Sequence, residues 1–300
     1  MTLCLAWRKG KEVFYASDSR LTEQYQNRQD GSIEYNRLTD IAIKIMKINV
    51  KIDGPITCEE NSEIPSPKLY NSTYGVCYCG GQMMANLIAN TLDEVLSSLQ
   101  CFQLTNINIE KIADIAFKIY KTVTTEVLRD YQDPNATCKM LFSGHCPQTG
   151  TFKSYCFSYD CKKNECKFEI IDLKETPYYI GDSIAIDKAH ELESNLSDVY
   201  TPIHLLRDII KDPDYETVGG GIQIGRFSNK DFETLGITYT TKEYDEYNNP
   251  KLEDHYEYRG IQFNLKDFDG INITKMFLLP SEAERNNLFK EIGDELDSTI

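Results

Sequence analysis

The residue with the most chemistry to offer is the threonine at position 2. Trimming of the initiator methionine, favoured by the small residue behind it, leaves a hydroxyl and a free α-amine on one residue. That pairing is a nucleophile with its own base attached. A threonine hydroxyl near neutral pH needs a proton acceptor, and an α-amine with a reference pKa of about 7.7–8.0 is partly neutral there and takes the proton directly or through a water. A neighbouring lysine pushes such an amine further toward neutrality by like-charge repulsion. Lys44, in the alternating run Ile41–Ile48, is the candidate.

The elements around these residues would hold them in place. Leu3–Trp7 and Glu12–Ser17 are β-prone runs joined by the charged, glycine-containing Arg8–Lys11, so they predict a hairpin with Thr2 at its tip. The alternation over Ile41–Ile48 predicts a strand that places Lys44. A further strand, Tyr74–Cys79, runs into Gly80-Gly81 and a helical stripe over 82–100. A strand-to-helix turn of this kind exposes backbone N–H groups able to bind an oxyanion.

Thr2, then Ala16-Ser17-Asp18-Ser19-Arg20, then Lys44–Ile48, then Tyr78-Cys79-Gly80-Gly81, resemble in order and spacing the proteasome β-subunit and its bacterial relatives. These are N-terminal-nucleophile threonine hydrolases. The resemblance implies that Thr2 attacks, that Asp18 and Lys44 form a charge pair beside it, and that Gly80 lends its N–H to the oxyanion. Arg20, with Ser19 beside it, matches a supporting position. Two stretches depart from the family pattern. Gly181-Asp182-Ser183 stands where the family has a serine between glycines, and Glu216-Thr217-Val218-Gly219 where it has an aspartate before a serine-glycine. Asp182, Ser183 and Glu216 are the expected substitutes. The match is good over residues 2–48 and 74–100, fair to 227 and weak beyond.

The resemblance implies an α+β fold, a four-layer αββα sandwich of two antiparallel sheets flanked by helices. It also implies a threonine-type peptidase or amidohydrolase acting on peptide or unfolded-protein substrates. Relatives assemble into rings or stacked particles, so a homo-oligomer is expected, and the sequence names no ATPase partner. Two other readings stand beside this one: a non-peptidase amidohydrolase of the same superfamily, and a catalytically silent structural or binding subunit. Taken singly, each residue also has a plain structural reading. Asp18 can close a turn, Lys44 can lie on the solvated face of an edge strand, and Gly80-Gly81 can serve only to turn the chain.

Composition is that of an ordinary globular chain, 41% hydrophobic and 26% charged over 300 residues. The formal charge of −15 argues against a nucleic-acid or anionic-membrane surface. No apolar run approaches the roughly 18 residues of a membrane span, and Leu3–Trp7 is too short for a signal peptide, so a cytoplasmic protein is expected. Ten cysteines are scattered through the chain. His145-Cys146 with Cys161 and Cys166 match no zinc spacing, so neither metal nor cofactor is assigned. His190 and His204 lie in helical patterns and read as packing or surface residues.

The rest of the chain supports one large domain, with a core over 1–227 and a C-terminal extension over 228–300 packed on it. Residues 21–40 and 49–73 read as insertions, the first a long hairpin or loop and the second a proline-rich surface excursion. A second helical stripe covers 108–131. Strand-like runs follow near 138–143, 151–159, 166–172 and 178–180, then helices near 184–196 and 201–211, then a strand at 222–227. Charges and tyrosines with a few strands fill 229–269, and Ser281 caps a C-terminal helix. No repeat or low-complexity tract is evident.

Overall fold

The computed structural model describes residues 2–26, 33–55, 58–59, 62–63, 67–131, 133, 136–193, 201–244, 250–263 and 275–279. It opens with the expected hairpin: β1 (Leu3–Lys9) and β2 (Glu12–Asp18) pair antiparallel from Cys4↔Ser17 to Lys9↔Glu12. Both strands run further than their apolar residues suggest. Gly10, at φ 58, and Lys11 make the reversal alone, so Arg8 and Lys9 stay in the ladder.

A separate two-stranded ribbon follows, β3 (Leu21–Gln26) with β4 (Ile33–Thr39), the hairpin form of the expected 21–40 insertion. Next, β5 (Ile45–Asp53) pairs with β8 (Lys68–Gly80) from Ile45↔Cys77 to Asp53↔Lys68, with the small ribbon β6 (Cys58–Glu59) and β7 (Ser62–Glu63) between them. The excursion is therefore shorter than the expected 49–73. Ile48, Val50 and Ile52 are buried while Lys47 and Lys51 are exposed, and this period of two carries the strand well past residue 49. Lys44 also departs from expectation, since it lies one residue before β5 and not inside a strand.

Helix α1 (Gln82–Leu96) leads through β9 (Leu99–Gln100) to α2 (Ile109–Tyr131). Asn108 Oδ1 accepts the Lys111 N–H at 3.0 Å and starts α2. Ile109, Ile112, Ala113, Ala116, Tyr120 and Val127 form its buried stripe. Each fully buried isoleucine contributes about 1.5–3 kcal/mol. Three antiparallel strands come next, β10 (Cys138–His145), β11 (Phe152–Asp160) and β12 (Glu165–Ile171), followed by β13 (Tyr178–Gly181). Helices α3 (Ser183–Glu193) and α4 (Thr201–Lys211) precede β14 (Ile222–Ser228), β15 (Asp231–Tyr244), β16 (Pro250–Tyr258), β17 (Ile261–Phe263) and β18 (Met276–Leu278). The C-terminal helix expected from Ser281 lies outside the described residues.

The chain is thus a mixed α/β structure with two main sheets. One has the order β13-β1-β2-β14-β15-β16-β17 with β18 beside β15, and the other has the order β12-β11-β10-β8-β5-β9. The first sheet crosses residue 228 without interruption, because β14 and β15 form one hairpin (Ser228↔Asp231).

Three buried clusters tie the elements together. One joins β5, β8, β10 and β11 to α1 and α2 through residues such as Tyr74, Phe142, Leu92 and Tyr120. A second joins β1, β2, β14 and β15 to α3 and α4 through Leu5, Ile224, Ala189 and Leu206. In the third, Cys4, Ala6, Tyr15 and Phe232 from the first sheet meet Ile45, Cys77, Leu141 and Cys156 from the second. No helix among the described residues is long and apolar enough to cross a membrane.

Candidate functional site

Thr2 sits immediately before β1 and is only 4% exposed. Its carbonyl accepts the Asp182 N–H at 2.8 Å, and Leu3 pairs with Gly181 across the β1–β13 ladder. Gly181 has φ +140, and a Cβ there would come within 1.8 Å of the Thr2 carbonyl oxygen. Only glycine permits so close an approach. The start of the chain is therefore seated by backbone contacts that leave its hydroxyl out of the ladder.

Asp18, at the end of β2, is fully buried and gathers the site. Its Oδ1 accepts the Leu3 N–H at 3.0 Å. Its Oδ2 accepts the N–H groups of Arg20 and Gly219, each at 3.1 Å, and is 2.9 Å from Lys44 Nζ. A buried carboxylate is tolerated only where donors and a counter-charge replace water, and here four donors do so. Lys44, 2% exposed, directs its ammonium at Asp18 and at the Arg20 carbonyl, 2.5 Å away. The predicted Asp18–Lys44 charge pair is present, and the Leu3 N–H that Asp18 accepts belongs to the residue next after Thr2.

Gln223 on β14 fixes the irregular stretch before Lys44. Its Oε1 accepts the Lys44 N–H at 3.0 Å, while its Nε2 donates to Ala42 O at 2.7 Å and to Asp18 O at 3.2 Å. One amide side chain thus satisfies backbone groups that a strand partner would otherwise have taken. Ser19 and Arg20 secure the other side. Ser19 Oγ donates to Asp40 O and accepts the Gly221 N–H at 2.7 Å. Arg20 forms an ion pair with Asp40 at 2.9 Å and donates to the Glu216 carbonyl at 3.1 Å.

The three substitute positions divide. Asp182 is buried and bound on three sides: its N–H by Thr2 O, its Oδ1 by the Ile184 N–H at 2.9 Å, and its Oδ2 by Thr217 Oγ1 at 2.5 Å. Ser183 begins α3 with an exposed side chain, and Glu216 is exposed and reaches the site only through its carbonyl. The residue that meets Asp182 is Thr217, one position on.

Gly80 ends β8 at φ +94, where a Cβ would lie 2.5 Å from Thr137 O. It stands just before α1, whose first turn carries no acidic residue, so the positive end of that helix is uncompensated. Cys4 Sγ donates to Tyr78 O at 3.0 Å. This contact, two residues from Thr2 on one strand and two from Gly80 on the other, brings the two strand ends to the same end of the molecule.

The cysteine pairing weighed for metal does not gather. Cys146 is buried, Cys161 is exposed, and no group of three His, Cys, Asp or Glu among the described residues is arranged to hold an ion. His190 is exposed beside Glu193 and stacks edge-on with Tyr179, while His204 is buried on α4.

No family model matches the chain, and no curated protein matches it. Solved structures do. One is Anbu (ancestral beta-subunit) from Yersinia bercovieri, 16% identical, with a TM-score of 0.46 over 78% of this chain and 86% of that chain. Another is the helical assembly of the Anbu complex from Pseudomonas aeruginosa, 13% identical, with a TM-score of 0.47 over 99% of this chain and 96% of that chain. These findings correct the expected membership in the proteasome β-subunit family of threonine hydrolases. The similar chains are ancestral beta-subunits, and no threonine-hydrolase family model fits. At identities and TM-scores this low, the likeness assigns no chemistry.

Proposed function

We propose that the chain is an amide-bond hydrolase that uses Thr2, freed of Met1, as its nucleophile. The observation that carries this reading is the buried Asp18–Lys44 pair, closed by Leu3 N–H directly behind Thr2. A fully desolvated ion pair is a costly way to hold strands together, and its position beside a threonine that can become N-terminal gives it a use. In this mechanism Thr2 Oγ attacks a carbonyl carbon while its proton passes to the α-amine. The amine returns that proton to the departing amine as the C–N bond breaks. Water then attacks the threonyl ester, with the amine again taking and returning a proton. Lys44 keeps the α-amine neutral, Asp18 keeps Lys44 in place, and the Gly80 N–H with the α1 terminus faces the oxyanion.

The substrate class in this reading is a peptide or unfolded chain. The layer order is helices α1 and α2, sheet, sheet, helices α3 and α4, for which the three clusters are the support. Self-association belongs to the same proposal: Met83 and Leu87, one turn apart on α1, are about half exposed, with Tyr131 beside Met83. Sedimentation velocity tests that part.

One observation favours a second reading, a catalytically silent structural subunit. Both hydrogen bonds from Lys44 Nζ go to Asp18 and Arg20, and Asp182 is taken up by Thr217 and α3. The cluster then acts as a clamp on three segments. Intact-protein mass spectrometry before and after an epoxyketone or β-lactone separates the readings. Loss of Met1 and one adduct on Thr2, absent in Thr2→Ala, supports the hydrolase. Retained Met1, or a trimmed chain that takes no adduct, supports the clamp.

A further inference from the structure

The far end of the seam between the sheets holds a second feature, unrelated to Thr2. A polar cavity of 580 Å³ opens there, within the size range of small-molecule sites. Its floor is Lys47, Asn49 and Lys51 of β5 with Asn71 and Thr73 of β8, and its wall is the β14–β15 turn with Lys275. Thr73 lies seven residues along β8 from Gly80, about 23 Å at strand spacing.

The cavity is built and held open by the protein's own bonds. Asn229 and Lys230, at φ 50 and 75, turn the chain in the left-handed region that glycine usually fills. That turn is fastened to the floor by Ser72 Oγ on Lys230 O at 3.0 Å, by the Thr73 N–H on Asp231 at 3.0 Å, and by Thr73 Oγ1 on Phe232 O at 2.9 Å.

The unused charged groups in the lining are mostly cationic. Of its two carboxylates, Glu233 is held by Arg226 at 2.7 Å and Lys275 at 3.0 Å, and Asp231 Oδ1 accepts the Thr73 N–H at 3.0 Å. Among the described residues, no hydrogen bond or ion pair engages the ammonium of Lys47 or Lys51, or the amide of Asn71. A chain of net charge −15 thus concentrates free cations and donors in one concave place. Lysines bind phosphate as point charges, and two of them with Cα atoms about 13 Å apart on one strand suit an anion with several charged groups in a row.

We propose that this cavity binds a small oligophosphate, either a free chain or the phosphate chain of a nucleotide, between Lys47 and Lys51. The site is independent of the hydrolase reading. Isothermal titration of the full chain with sodium tripolyphosphate at physiological salt should show saturable one-to-one binding. Lys47→Gln with Lys51→Gln should weaken it by about tenfold or more. Lys162→Gln with Lys163→Gln, on the exposed β11–β12 turn, should leave it unchanged. In the unsubstituted chain, tripolyphosphate should protect Lys47 and Lys51 from acetic anhydride, read by peptide mass spectrometry, and leave Lys162 and Lys163 reactive. A parallel titration with a nucleoside triphosphate identifies the source. Tighter binding than tripolyphosphate supports a nucleotide, and equal or weaker binding supports the bare chain. No saturable binding by either probe, equal weakening in both double variants, or protection spread over all four lysines would overturn the proposal.

Discussion

At the scale of single residues, Asp18 matters more to the fold than its partner. Asp18→Ala strips the acceptor from Leu3, Arg20 and Gly219 and leaves a buried ammonium without its counter-charge. The expected cost is about 3–5 kcal/mol. Lys44→Met removes the cation but leaves the carboxylate three backbone donors, so the loss should be smaller, about 2 kcal/mol. Urea unfolding of the two variants checks the order, and a larger loss in Lys44→Met would refute it. If Thr2 is the nucleophile, Lys44→Met should also abolish turnover, whereas a clamp would show only the stability change. In the sequence Thr2 and Lys44 stood out by their chemistry, and Asp18 and Arg20 only through the family resemblance; the structure gathers Asp18, Arg20 and Lys44 in one cluster. Gln223 and Thr217 were not legible in the sequence, because their partners are distant in the chain: Gln223 reaches Lys44 across 179 positions and Thr217 reaches Asp182 across 35. Moving from Glu216 to Thr217 also exchanges an exposed position for a buried one, a difference that residue type alone does not announce.

At the scale of elements, the β14–β15 turn carries local strain. Lys230 sits at φ 75, and Asn-Gly is the pair such a two-residue turn prefers. Lys230→Gly should therefore stabilise the protein by about 0.5–1 kcal/mol, seen as a higher melting temperature. A lower one would mean that the lysine side chain contributes more than its backbone costs. The helices were legible from their 3.6-residue stripes, and the hairpin from its glycine turn. The reach of β5 and β8 was not, because Pro55, Pro65 and Pro67 punctuate the excursion while the alternation of Ile48, Val50 and Ile52 continues beneath it. The start of β5 was misplaced for a related reason. Ile41–Lys44 has a strand's pattern, but its backbone is met by Gln223, Ser19 and Tyr78 and not by one continuous neighbour.

At the scale of the whole molecule, two effects lower stability as pH rises from mildly acidic to mildly alkaline. One is self-repulsion in a chain of net charge −15. The other is Glu257, whose pKa burial pushes above its ordinary value of 4.5 against the pull of the Ile222 N–H, and whose Oε1 has no hydrogen-bond partner among the described residues. The folded state holds that proton more tightly than the unfolded chain, so its contribution is full below 4.5 and is lost as pH climbs through the raised value. Thermal melts from pH 4.5 upward should show Glu257→Gln gaining on the unsubstituted protein as pH rises, while the fall due to net charge persists in both; parallel curves would exclude Glu257 as a source. The seam between the sheets has a consequence of another kind. Cys4, Cys77, Cys79 and Cys156 lie in it, covered, whereas Cys161 is exposed on a turn. Burial holds the Cys4, Cys79 and Cys156 thiols above their ordinary range, so they stay protonated and inert while the sheets are closed. The protein thus carries its own clock: a thiol reagent should mark Cys161 at once and the seam cysteines only as often as the two sheets part, and at reagent concentrations where labelling outpaces reclosing the interval between the two is the lifetime of the closed core.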